Sequence, residues 1–141
     1  MSLVAVDADG VEVHTPLVGD DGRADADAQW CVKKLGADWW SAVMGFVPVG
    51  DQMVALLSWL HRSDPDAWSR ATRFFQIDEH EVWRESGQFV TTASVATRSG
   101  LWSIVEKRFH PDVLRLIDAD RDWSSSLPTV VDAALVPKLA R

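Results

Sequence analysis

Read along the chain, hydrophobic and polar residues change period twice. Residues 3 to 13 run Leu-Val-Ala-Val-Asp-Ala-Asp-Gly-Val-Glu-Val, two short apolar alternations around Asp9-Gly10, a dipeptide that tolerates the backbone angles of tight hairpin turns. This pattern allows a short N-terminal β-hairpin, which must pack on the rest of the molecule or stay mobile, because two strands alone are marginal in water. From Thr15 to Asp27 the Pro, Gly, Asp and Arg content reads as a linker.

Helical spacing then takes over. Asp25 or Asp27 can cap a helix reaching about Leu35, with Ala28, Cys31, Val32 and Leu35 on one face and Gly36 as its stop. Asp38 can cap a second, with Trp39 or Trp40, Val43, Met44 and Val47 as its stripe and Pro48 as its end. The third, started by Asp51, has the clearest helical spacing: Met53, Leu56, Leu57 and Leu60. Ser63-Asp64-Pro65-Asp66 opens a fourth, with Trp68, Ala71 and Phe75 inward and Arg70 and Arg73 on its other faces.

Asp78 and Glu81 form a capping-box-like pair before a fifth helix through Val82 and Trp83 to Gly87. Phe89 to Thr97 holds five β-branched residues yet also fits a helix face, and with no partner strand in view a helix is predicted. Leu101 to Phe109 and the segment opened by His110-Pro111-Asp112 are predicted helices too, as is a last one from Pro128 over Val130 to Leu135. The expected fold is therefore all-α: one bundle or stack of about seven short helices over residues 25–141, preceded by an acidic leader, residues 1–24, that contains the hairpin and linker. Short connections would place successive helices side by side.

Composition sharpens this picture. Eight tryptophans and no tyrosine in 141 residues mean that large indole rings must be buried or used for contact. The net charge of −7 is uneven: residues 1–29 carry −6 and the rest only −1. A nearly neutral body gives a phosphate backbone no electrostatic hold, so nucleic acid is not an expected partner. No run of apolar residues is long enough for a bilayer, so no membrane partner is expected either. Cys31, alone and among apolar neighbours, suits a reducing compartment, and cytoplasm is the expected location.

Local catalytic signatures are missing from the sequence. His80-Glu81-Val82-Trp83-Arg84 begins like a zinc-protease helix, but Arg84 stands where the second histidine belongs. Asp7-Ala8-Asp9-Gly10-Val11-Glu12 is acidic around a glycine, but Ala5 and Pro16 fall where a calcium loop needs its end ligands. Glycine-rich phosphate loops and nucleophile elbows are absent from the sequence. No cofactor and no metal are therefore expected.

Two classes of function stay open. One is a non-catalytic adaptor that binds another protein of unknown identity, with room for homo-oligomers. It would act through Trp39, Trp40 and Trp123 and the basic Arg70 and Arg73. The other is a small-molecule binder or enzyme with a Trp-lined pocket between helices, where His61, His80 and Trp83 are the first suspects. The adaptor is the favoured expectation.

The stretch Asp38-Trp39-Trp40-Ser41-Ala42-Val43, followed by Ser58-Trp59-Leu60-His61-Arg62-Ser63-Asp64-Pro65, resembles a family of small bacterial helical proteins of unknown function encoded near type VI secretion genes. The resemblance covers about 40 residues, and departs from that family after Gln76. It implies an accessory or immunity-type role in a bacterial secretion or contact-dependent system, and carries over no functional residue.

Overall fold

The computed structural model describes residues 1–18 and 22–139. Gly19, Asp20 and Asp21 of the expected linker, and Ala140 and Arg141, lie outside the described residues. In chain order the elements are β1 (Ser2–Val6), β2 (Leu17–Val18), α1 (Asp25–Leu35) and α2 (Ala37–Trp39), which continues as a π-helical turn, Trp40–Met44. Next come α3 (Met53–Ser63), α4 (Pro65–Arg70), β3 (Arg73–Phe75), α5 (Ile77–Ser86), β4 (Val90–Thr92), α6 (Ala93–Arg98), β5 (Trp102–Ser103), β6 (Arg108–Phe109), α7 (Pro111–Ile117) and β7 (Thr129–Val131). Three 3-10 turns, at 123–125, 133–135 and 137–139, complete the path.

The architecture is mixed α/β, which corrects the expected all-α bundle. Its centre is a three-stranded sheet in the order β2-β1-β3, with both pairings antiparallel. Val4 faces Phe75, Ala5 faces Phe74 and Val6 faces Arg73 across the β1–β3 ladder. Leu3, Val4, Ala5 and Val6 are all at most 3 % exposed, so both faces of β1 are covered, and a strand covered on both faces reads as an unbroken apolar run. Leu3, Ala5 and Phe74 belong to the main core with α1 and α3, whereas Val4, Val6 and Phe75 form a second cluster with Trp83 and Phe89.

Four of the predicted helices break, the last of them, over Pro128 to Leu135, into β7 and a 3-10 turn. The fourth helix ends at Arg70, and Arg73, expected on that helix, lies on β3. The strand is the better solution because Phe74 and Phe75 alternate sides and each becomes fully buried. Leu101 to Phe109 folds as the β5–β6 hairpin, with Trp102 edge-on to Phe109 at 5.1 Å between ring centres. Its turn is held by Ser103, whose hydroxyl donates to the Val43 carbonyl and accepts from the Glu106 N–H. Val105, expected on a buried helix face, is consequently 63 % exposed. The 89–97 segment splits into β4 and α6, and β4 runs parallel to β7.

The third helix is found as α3, with Met53 to Ser58 and Leu60 buried. Asp64 caps α4 by accepting from the Ala67 N–H at 3.1 Å, ahead of Pro65. Gly100 shows how tightly α3 is met by its surroundings: φ is +84°, and an added Cβ would lie 2.5 Å from Val54 Cγ1. Gly100→Ala is expected to lower stability by about 1–3 kcal/mol, read as a shifted denaturation midpoint with an unchanged slope.

Of the eight indoles, Trp40 and Trp68 are buried, five are half-buried, and Trp30 is exposed at 42 %.

Candidate functional site: a polar cleft at the head of two helices

An open cleft of about 550 Å³ lies where the start of β1, the N-terminus of α3, the β3–α5 junction and the end of α6 converge. Ser2, Asp51, Gln52, Gln76, Asp78 and Arg98 supply its polar wall, and Val49 and Ile77 its apolar part. The local chain dictates this convergence. Gln52 precedes α3, where its Oε1 accepts from the Val49 N–H at 3.0 Å and its Nε2 donates to the Arg98 carbonyl at 3.2 Å. One side chain thus ties the entry of α3 to the exit of α6.

Gln76 does the same for α5. Its backbone N–H donates to Glu79 Oε1 at 2.7 Å in a capping-box arrangement, and its side-chain amide donates to the Val95 carbonyl at 3.3 Å. The Ser2 hydroxyl accepts from the Ile77 N–H at 2.9 Å, joining β1 to the same helix. Asp51, Asp78 and Arg98 are exposed, and none of their charged groups forms a hydrogen bond or ion pair with another described residue. Two carboxylates and a guanidinium therefore stand uncommitted around amides whose positions are fixed, an arrangement that can both accept from and donate to a polyhydroxylated ligand.

Behind this cleft, Glu79 is 3 % exposed. Burial pushes its carboxyl up to about 7, while the nearby Thr91 hydroxyl and the Gln76 N–H partly oppose the shift. The Thr91 hydroxyl is itself buried and does not reach hydrogen-bond geometry with any described group.

The residues singled out in the sequence are dispersed. Trp40 is fully buried, its indole N–H donating to the Cys31 carbonyl at 3.0 Å. Trp39 stands edge-on to both Trp40 and His110. Trp123 donates to the Asp118 carbonyl and packs by Trp68 and Phe74. Arg70 pairs with Asp66 at 3.2 Å on the surface, and Arg73 lies over the Trp83 and Phe89 rings. His80 and Trp83 do meet, with ring centres 6.0 Å apart and Phe75 beside them, and burial lowers the His80 pKa. His61 lies elsewhere, stacked on Trp68 at 4.8 Å.

The buried Cys31 thiol is raised to about 11, mainly by burial, which suits an inert group. Among the described residues no group of three or more His, Cys, Asp or Glu could hold a metal ion, and no helix is long and apolar enough to cross a membrane.

Over residues 1–137 the sequence matches the N-terminal domain of the FGGY family of carbohydrate kinases. The chain belongs to this family. The fold agrees with that assignment. Gluconate kinase from Lactobacillus acidophilus superposes with a TM-score of 0.81 at 18 % identity, over 99 % of this chain and 30 % of that one. Xylulose kinase from Bifidobacterium adolescentis gives 0.83 at 15 % identity, over 92 % and 33 %. Plasmodium falciparum glycerol kinase with ADP gives 0.78 at 15 %, over 98 % and 30 %. The chain thus spans about a third of the length of these solved structures. No curated protein sequence matches it.

Membership in the FGGY family overturns two expectations. The resemblance of residues 38–65 to proteins encoded near type VI secretion genes does not hold, because the family match runs through that stretch and nearly to the end of the chain. The non-catalytic adaptor or immunity-type role gives way to a family of enzymes. The small-molecule alternative is closer, although the FGGY assignment lends no support to a Trp-lined pocket. Sequence reasoning missed the cleft residues because Asp51 and Asp78, each next to a helix start, look like ordinary caps.

Proposed function

We propose that this chain is the sugar-recognising part of a carbohydrate phosphotransferase and that the cleft between the heads of α3 and α5 receives the sugar. The match to the FGGY N-terminal domain across residues 1–137 carries the reading. The cleft's chemistry supports it. Adjacent hydroxyls present a donor and an acceptor side by side: Asp51 and Asp78 can take the hydroxyl protons, while Arg98 and the Gln52 and Gln76 amides meet the oxygens. Val49 and Ile77 offer apolar surface to the C–H face of a short polyol or ring.

Transfer of a phosphoryl group from a nucleotide requires a cradle for the phosphates and charge to balance them. That activity is proposed for the whole protein, with this cleft holding the acceptor substrate. A cytoplasmic setting belongs to the same proposal, supported by the lone buried thiol of Cys31.

Nuclear magnetic resonance titration of the chain with xylulose, gluconate and glycerol tests the reading. Saturable shifts are expected at the Gln52, Gln76 and Asp78 amides. Asp78→Ala and Arg98→Ala are each expected to weaken binding by about 10- to 100-fold, the loss of one charged hydrogen bond, with an unchanged circular dichroism spectrum. Binding of all three compounds without any response at these amides would overturn the assignment of the cleft.

A further inference from the structure

A second cavity, of about 580 Å³, opens between α1, α3 and α7 and shares no lining residue with the cleft. Its volume lies within the range of small-ligand pockets. Trp30 lines it and is the one indole left largely bare, in a molecule that buries or half-buries the other seven. Ala26 and Ile117 add apolar surface.

The polar wall is built, not incidental. Asp27 is 6 % exposed and accepts two hydrogen bonds from Arg62, from Nε at 3.0 Å and Nη2 at 2.9 Å. This fork fixes the guanidinium and leaves its Nη1 hydrogens for another acceptor. His61 Nδ1 lies 2.8 Å from the Ile117 carbonyl. A carbonyl only accepts, so in the neutral ring Nδ1 carries the hydrogen and Nε2 is left to accept. Ser58 is already engaged: its hydroxyl donates to the Val54 carbonyl at 3.0 Å and accepts from the Cys31 thiol at 3.7 Å.

Aromatic surface thus stands with Arg62 as a fixed donor and His61 as an acceptor. Charge decides the ligand class. Arg62 is neutralised by Asp27, and Asp118 places a carboxylate 4.0 Å from His61 Nε2. Lys34 adds one cation, its Nζ 5.8 Å from the centre of the Trp30 ring. An anion gains little from these groups, whereas a ring with an apolar face and hydroxyls at its edge meets every one of them.

We infer that the α1–α3–α7 cavity is a second carbohydrate site, which takes an uncharged sugar ring with its C–H face on Trp30 and its hydroxyls on Arg62 and His61. The inference goes beyond the substrate cleft and does not depend on it. The two sites lie at opposite ends of α3, with Gln52 at the head and His61 and Arg62 in the last turn.

Titration of the chain with methyl β-D-glucoside and, separately, D-xylose, followed through assigned indole N–H and amide signals, tests it. At least one sugar is expected to shift the Trp30 indole and the His61 and Arg62 amides saturably. Trp30→Ala is expected to weaken this response by about tenfold or more, and Trp30→Phe to restore part of it. Because Trp30 is exposed, both variants should keep the wild-type melting temperature.

Asp78→Ala should leave the Trp30 response intact, so a failed cleft and a failed second site are read separately. Shifts confined to Gln52, Gln76 and Asp78 would overturn the inference. So would an unchanged affinity in Trp30→Ala, or sodium benzoate moving the Trp30 signals when neither sugar does.

Discussion

Val4→Asp is expected to abolish folding. Val4 is 2 % exposed at the centre of β1, with Phe75 opposite it and Val6 in the same cluster. An unpaired carboxylate there costs several kcal/mol, on the order of the whole stability of a domain of this size. Thermal melting by circular dichroism should show no cooperative transition. Val11→Asp, in the same segment but 60 % exposed, should melt like the parent. If residues 2–13 were a mobile appendage, the two variants would behave alike, and a folded Val4→Asp with the parental melting temperature would dismiss the central role of β1.

Glu79→Gln is expected to flatten the response of stability to pH and to stabilise the protein at pH 8. Burial pushes the Glu79 carboxyl up to about 7 in the folded protein, against about 4.5 for a glutamate in water. Between these two values the native state holds a proton that the unfolded chain has released, so stability falls as pH rises through the window and levels off above it. The loss is on the order of 2–3 kcal/mol. Glutamine cannot ionise, yet its Oε1 can still accept from the Gln76 N–H that caps α5, and its amide offers the orphaned Thr91 hydroxyl a partner. Chemical denaturation at pH 5 and pH 8 checks this: the parent should lose stability between the two, and the variant should not. A parallel decline in both would place the titrating group elsewhere.

Much of the helical layer was legible from residue spacing. α3 could be read because Met53, Leu56, Leu57 and Leu60 repeat with the helix, and α4 because Asp64 and Pro65 announce its start by local chemistry. The sheet was hidden for a physical reason. β1 was anticipated as one arm of the short hairpin around Asp9-Gly10, but β3, its partner on the other edge, is three residues long and lies far along the chain. Trp102, Val105 and Phe109 happen to fit a helical repeat, whereas the hairpin they adopt depends on the Ser103 hydroxyl and its contact with Val43.

The cleft was hidden by a similar ambiguity. A carboxylate beside a helix start is the same letter whether it caps the helix or faces a ligand, and Gln52 and Gln76 carry no motif of their own. His80 and Trp83 were close because three residues on a helix make neighbours. Trp30 could not be placed with His61 and Arg62 without knowing that α1 packs on α3.

Pairing Val4 with Phe75 also sets a schedule for biosynthesis. While the nascent chain emerges, the first strand has only the two-residue β2 on one edge until the third has left the ribosome, and its other apolar edge must wait through the whole intervening helical segment. Such distant closure slows folding and leaves a sticky segment exposed in the meantime, so demand for a chaperone should peak early in translation and fall once Phe75 is clear of the exit tunnel.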